Sequence, residues 1–314
     1  MTARQKWPSA VPGSKFQTMA RVYDTDLHVP VTLIAGRTDD GPNVLVTSGI
    51  HGSEYPGTMA CIELADEIDP RKASGRLLMI HPVNVSAFRS RVSYIMPEDG
   101  RNLNRQFPGS SEGSISEILA RWLTDLQEAA DFYLDLHSGD LFEALMPYVY
   151  FPSRGESKIL EASMAMARLV DVRYMVKSHA VTGAYNSAAN RGVPSILIER
   201  GSAGACTAKD VYLYKYDILN ILRHLGFLPG QPSYPPESHI EINEVDYLES
   251  TCWACWRSEV AVGQIVSEGD QLGRTFDFFN RTIEEFHAKH NGVVLYKLRS
   301  LSTNPGDVLV AYGK

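Results

Sequence analysis

Short apolar runs recur along the first part of the chain, each rich in Val, Ile, Leu or aromatic residues and most bounded by turn residues. They are 31–35 (VTLIA), 44–49 (VLVTSG), 77–80 (LLMI), 132–136 (FYLDL), 148–151 (YVYF) and 195–199 (SILIE). Runs of this length read as buried strands. Helical patterns lie between them. Ser114 and Glu117 form a capping-box signature, and Ile115, Ile118, Leu119, Trp122, Leu123 and Leu126 follow at helical spacing through about residue 130. Pro56 suits the first turn of a helix reaching about Ile68. Residues 208–225 repeat Val211, Lys215, Ile218, Leu219, Leu222 and Leu225, and Gly226 supplies a stop. Strands alternating with helices predict an α/β fold, a sheet with helices on both faces.

The pattern changes near residue 230. GQPSYPPES (230–238) reads as a connector, and β-like runs then follow at 259–266, 292–298 and 307–312, separated by the turn-forming SEGDQLG and STNPGD. The expected division is an α/β domain over 1–230 and a small all-β domain over 231–314. The stretch 179–192 (HAVTGAYNSAANRG) is polar and rich in small residues, which predicts a loop at the pocket wall with Tyr185 either a substrate contact or packing.

Composition narrows the function classes. With 314 residues, 44% hydrophobic and 21% charged, the chain can bury a sizeable core. Its net charge is −7 and it has no Lys/Arg-rich block, which argues against a nucleic-acid partner. The N-terminus lacks an apolar leader core, and no apolar run approaches the roughly 18 residues of a membrane span. A cytoplasmic enzyme without a membrane partner is the expectation, with a homo-oligomer left open. Cys252 and Cys255 form a single C-x-x-C with no second pair, and ordinary thiols are expected there.

The candidate chemistry lies at strand ends. TSGIHGSEYPG (47–57) carries His51 and Glu54 just past one strand, and Gly49 and Gly52 let the backbone turn. His137 ends the run FYLDLH, with Asp135 upstream as a group that could orient it. Two imidazoles and a carboxylate suit an open zinc site. Glu199 ends SILIE, where a carboxylate needs a partner or a task, either proton transfer or an ion pair with Arg200 or Arg191. DGRNLNRQFPG (99–109) crowds Asn102, Asn104 and Arg105, and an arginine fork can hold a carboxylate.

In this order, HGSE, NLNR, LDLHSG and IERG resemble the succinylglutamate desuccinylase/aspartoacylase family of the zinc carboxypeptidase-like superfamily, over roughly residues 40–230. The resemblance implies a zinc-carboxypeptidase-like mixed sheet and one zinc ion per chain on His51, Glu54 and His137. It implies Glu199 as the catalytic carboxylate, general base and then acid, and Asn104 with Arg105 as the clamp on a substrate carboxylate. The β-rich tail looks like the family's smaller C-terminal domain, with some likeness to a lipoyl-type barrel. The family's carbonyl-polarising arginine position is Pro97 here, with Arg101 the nearest replacement and Arg89 and Arg91 further upstream. Asn102 stands where the family has an aspartate. The spelling of 99–109 is similar to members that deacylate small N-acyl amino acids, N-acetyl-diaminobutyrate deacetylases among them. The expected activity is zinc-dependent hydrolysis of the amide bond of a small N-acyl amino acid. A peptide carboxypeptidase and a non-catalytic binding relative are the alternatives.

Overall fold

The computed structural model describes residues 7–314, so the first six residues of the stretch read for a leader lie outside it. Ten strands open the chain: β1 (Ser14–Arg21), β2 (His28–Ala35), β3 (Asn43–Ser48), β4 (Arg76–Ile80), β5 (Phe132–His137), β6 (Glu143–Leu145), β7 (Tyr148–Pro152), β8 (Tyr174–Ser178), β9 (Ser195–Glu199) and β10 (Ile240–Ile242). All but β6 join one mixed sheet in the order β1-β2-β4-β3-β5-β9-β7-β8-β10. Its centre, β4-β3-β5-β9, is parallel, and β7 runs antiparallel to β9.

Six helices cover the sheet: α1 (Tyr55–Glu67), α2 (Val85–Ser90), α3 (Ile115–Gln127), α4 (Ser157–Ala167), α5 (Ala184–Asn190) and α6 (Ala208–His224). Alternation along the strands sorts the core into two layers. Val44, Val46, Leu134, Leu136, Ile196 and Ile198 pack under α1, α4 and α6. Leu45, Tyr133 and Leu197 face the other way, toward α3 and α5. The capping box at Ser114 and Glu117 is present, and Pro56 lies in the first turn of α1. Residues 179–192 are not all loop. They contain α5, whose Ala184, Ala188 and Ala189 are small enough to bury against the sheet. Without large apolar residues at helical spacing, that helix gave no periodic signal.

The remaining strands are β11 (Val245–Glu249), β12 (Ala254–Ser258), β13 (Ile265–Val266), β14 (Gln271–Phe276), β15 (Thr282–His287), β16 (Gly292–Leu298), β17 (Ser302–Thr303) and β18 (Val308–Gly313). They form two small sheets around Trp256, Leu272, Val294 and Leu309. The apolar run 259–266 is mostly a turn, and only Ile265–Val266 is strand. The two parts of the chain interlock. β10, beyond residue 231, extends the large sheet beside β8, while β6 leaves the α/β part and pairs with β16.

Arg200 and Asp217 are both buried and meet at 2.6 Å, tying the end of β9 to α6. Removing one partner of a buried pair strands the other charge and costs about 3–5 kcal/mol. Asp217→Ala is therefore expected to lose stability on that scale in urea unfolding, far more than a surface aspartate such as Asp39 replaced in the same way.

Candidate active site

Register builds the site. β5 and β9 run parallel with His137 directly opposite Glu199, so both side chains leave the same face at the carboxyl end of the sheet. The loop after the adjacent β3 delivers His51 and Glu54. Gly49 has φ +67°, and a Cβ there would lie 2.4 Å from Pro82. At Gly52 a Cβ would fall 2.3 Å from the backbone of α2, so the loop can lie down only with glycine at that position.

The Glu54 carboxylate bridges the two imidazoles, 2.7 Å from His51 Nδ1 and 2.9 Å from His137 Nδ1. Burial works to raise the Glu54 carboxyl, but the two rings outweigh it and hold it at about 2. Among the described residues, His51, Glu54 and His137 form the one group of such side chains whose donor atoms, within 4.8 Å of one another, could hold a metal. The outward nitrogens have oxygens beside them. His51 Nε2 is hydrogen-bonded to Asn102 Oδ1 at 3.2 Å, and His137 Nε2 lies 3.2 Å from Asp135 Oδ2 without the geometry of a hydrogen bond. An oxygen beside each Nε2 suits a proton there, the tautomer in which Nδ1 is the ligating atom. The donors therefore fit zinc. Asn102, whose missing carboxylate looked like a loss, still supplies the acceptor through its amide oxygen.

Asp135 is fully buried and accepts a hydrogen bond from Thr47 Oγ1 at 2.8 Å, next to the Tyr133 hydroxyl. Its carboxylate, with that of Glu54, holds His137 well above the usual imidazole range although burial opposes this.

Glu199 has neither of the arginine partners considered for it. Arg200 turns to Asp217, and Arg191 reaches Gln127 at 2.6 Å and Glu128 at 3.7 Å. Glu199 Oε2 is buried with no hydrogen-bond partner. Burial, then the Glu54 charge, push its carboxyl well above the ordinary range.

The other candidates divide. Asn104 is buried, and its Oδ1 accepts from Ala184 N–H at 2.9 Å, joining the NLNR turn to the start of α5. Arg105 is exposed and has no ion pair among the described residues. Burial raises the Tyr247 and Tyr296 hydroxyls, and the Arg105 charge works against it, so this arginine faces the C-terminal strands β11 and β16. Tyr185 is buried and stacks on Tyr150 at 6.3 Å, and Tyr150 in turn meets the Tyr247 hydroxyl at 2.8 Å.

Arg101 is not brought to the cluster. It is half exposed and ion-paired at 3.3 Å with Glu117, the capping glutamate of α3, and its N–H is held by Asp99. A carboxylate already committed to a helix N-terminus draws this arginine away from the site.

Sequence reasoning missed three contributors to the pocket. Tyr247 and Tyr296 come from β11 and β16, far along the chain, and Tyr247 feels both Glu199 and Arg105. Glu143, six residues past His137, is a half-buried acid whose carboxyl is pushed up by loss of solvent and by Asp140 and Glu54. An acidic residue shortly after a strand-end histidine was its only trace in the sequence. All four cysteines are free thiols, Cys252 and Cys255 included.

A mixed sheet flanked by helices, with a donor set that could hold a metal at its carboxyl edge, is the architecture that the comparisons share. Residues 40–225 match the succinylglutamate desuccinylase/aspartoacylase catalytic domain, and the chain belongs to that family of deacylases. The N-alpha-acetyl-L-2,4-diaminobutyric acid deacetylase of Halomonas elongata is 29% identical over 295 residues, 90% of this chain and 84% of that one. The product-bound ectoine utilization protein EutE (DoeB) of Ruegeria pomeroyi superposes with a TM-score of 0.85 at 25% identity, covering 98% of this chain and 97% of that one. A succinylglutamate desuccinylase/aspartoacylase from Rhodobacter sphaeroides gives 0.81 at 25% identity, covering 92% and 90%. No helix among the described residues is long and apolar enough to cross a membrane.

Partners of ligating histidines typically contribute 10–100-fold to metal affinity, as an order of magnitude. Asp135→Asn is expected to weaken zinc binding by about that factor in a chelator competition. Thr47→Val, one contact further out, is expected to weaken it less.

Proposed function

We propose that this protein is a zinc-dependent hydrolase that removes the acyl group from a small N-acyl amino acid, working in the cytoplasm. The observation that carries the proposal is Glu199, a half-buried carboxylate with no ion pair among the described residues and one buried, orphaned oxygen, set opposite His137 at the end of the sheet. Leaving such a group unpaired is costly unless it has a task. Zinc held by His51, Glu54 and His137 would supply Lewis acidity and bring the pKa of a water down toward about 7.

The chain's own residues account for the rest. Glu199, with its raised pKa, takes the proton of the attacking water and returns it to the leaving amine nitrogen. Arg105 holds the substrate carboxylate from its free position. Asn104 uses its Oδ1 on α5, which leaves its amide N–H groups available to the same carboxylate. Asp135 and Asn102 keep the two imidazoles in the ligating tautomer. Tyr247 and Tyr296 of the C-terminal domain bound the space, which favours a small substrate over a peptide chain. The Halomonas elongata relative acts, by its name, on N-acetyl-diaminobutyrate, and that compound is the first substrate to try here.

His51→Ala is expected to lose zinc on elemental analysis, and full occupancy in that variant would rule out the ligand assignment. Glu199→Gln should keep its metal and lose roughly 10²–10⁴-fold in kcat, the usual contribution of a positioned acid–base group. Unaltered turnover would remove the base from the proposal. Hydrogen bonds to a charged group are worth about 1.5–3 kcal/mol, or roughly 10- to 150-fold. Arg105→Ala should lower kcat/KM by that factor, mainly through KM.

A further inference from the structure

Three aromatic side chains of the C-terminal part lie in the open. Trp253 is 78% exposed, Phe278 94% and Phe279 78%. None belongs to the core that the C-terminal strands enclose. All three gather at one end of the sheet β15-β14-β12-β17. Cys255 of β12 pairs there with Phe276 of β14, and Trp253 and Phe278 each lie two residues beyond that pair, so the antiparallel register brings them to one place. Phe278 also lines a groove of about 560 Å³ with Arg257, Arg299 and Leu301, itself 65% exposed.

The tip that carries the two phenylalanines is held in shape. It joins β14 to β15, with Asn280 at φ +63°. Asp277 Oδ1 accepts from the backbone N–H of Phe279 and from that of Arg281, both at 2.9 Å. Arg274 donates to Asn280 Oδ1 at 2.7 Å and to the Thr282 hydroxyl at 3.0 Å. The Arg281 guanidinium lies 5.4 Å from the centre of the Phe279 ring. A tip fixed in this way presents its rings with little left to order on binding. The fold itself gains nothing from a Phe278 ring that is almost wholly in solvent.

Area and charge choose the occupant. An aromatic side chain buries about 150–250 Å², so at these exposures the three rings offer about 400–600 Å². That already matches the largest apolar patch of an ordinary monomer, about 300–600 Å², before Leu301 and the arginine stems are added. A standard interface takes about 800 Å² from each partner, so the rings alone furnish about half of one side or more. The charges around them balance. At the groove, Arg257 and Arg299 are set against Glu259 and Asp277. On the hairpin, Arg274 and Arg281 are set against Glu284 and Glu285. Nucleic acid and anionic lipid both ask for clustered cations, so this rim favours neither. A second copy across a twofold axis needs only a patch that matches itself. Mixed charge supplies the match. Arg299 is exposed with no ion pair among the described residues, and Asp277 holds the tip through Oδ1, which leaves its other oxygen for an arginine across the axis.

We propose that Trp253 and the Phe278–Phe279 tip form the centre of a twofold homodimer interface on the C-terminal sheet. This is an inference about assembly, independent of the deacylase reading.

The test is the mass of the full chain in solution, measured by sedimentation velocity across the micromolar range. The wild type should sediment as a dimer. The double variant Phe278→Ser/Phe279→Ser should raise the dissociation constant at least about 30-fold, the factor for losing one central interface residue. Tyr212→Ser removes a ring that is 64% exposed on α6, away from this sheet, and should leave the dimer intact. Trp253→Ser should weaken the dimer without touching the hairpin, so it decides the question if the double variant fails to fold. A monomeric wild type would overturn the proposal. So would a dimer that persists in both the double variant and Trp253→Ser. A wild-type monomer that cosediments with phosphatidylglycerol vesicles, and loses them in Phe278→Ser, would overturn it in favour of a lipid surface.

Discussion

The parallel pairing of β5 with β9 is the constraint on which the rest depends. It sets His137 beside Glu199 with no freedom in register, because a slip of either strand by one residue would turn its site residue toward the α1/α4/α6 layer. The layer alternation also puts Asp135 two residues behind His137 on the same face, where it can reach that ring. The candidate metal ligand His137, the Asp135 carboxylate beside it and the candidate proton carrier Glu199 thus come from two adjacent strands. Only His51 and Glu54 have to be delivered by a loop, and two glycines press that loop against Pro82 and α2.

The cost of this arrangement is buried negative charge. Glu54, Asp135, Asp140, Glu143 and Glu199 cluster at this end of the sheet, and among the described residues the two imidazoles pair with Glu54 and Asp135. Glu54 is held low because two rings share its carboxylate, while burial and neighbouring carboxylates push Glu199 and Glu143 up and the His137 charge offsets this only in part. Surroundings alone thus separate a carboxylate suited to hold a metal from one suited to carry a proton. Arg200 and Arg191 are near in sequence and could have quenched Glu199. They are held by Asp217 and by Gln127 and Glu128 instead, which keeps the strand-end carboxylate free.

Much of this was legible in the sequence, for a physical reason. Buried strands and the helices α1, α3 and α6 announce themselves by period and by caps, and the ligands stand at strand ends where a one-dimensional reading can find them. α5 did not, because burial there is achieved with alanines and asparagine rather than with large apolar side chains. The strands β12, β14 and β15 carry too many exposed polar positions to stand out as apolar runs. Arg101 is paired with Glu117 of α3, a competition that proximity in sequence could not show. Tyr247 and Tyr296 could not be found locally, since only the tertiary fold brings them over the pocket.

That last point bears on what the C-terminal strands do. A domain joined only by a linker could be removed without touching the site. Here β16 pairs with β6, which begins at Glu143, and β10 closes the edge of the large sheet after the connector has passed. The backbone that fixes Glu143 is thus partly C-terminal backbone, and the Tyr150–Tyr247 hydroxyl contact crosses the same boundary. The C-terminal strands do not simply follow a finished sheet; they hold the segment bearing Glu143 by backbone pairing. The candidate site is thus braced at the junction of the two parts, while His137 and Glu199 come from the sheet and His51 and Glu54 from the loop after β3.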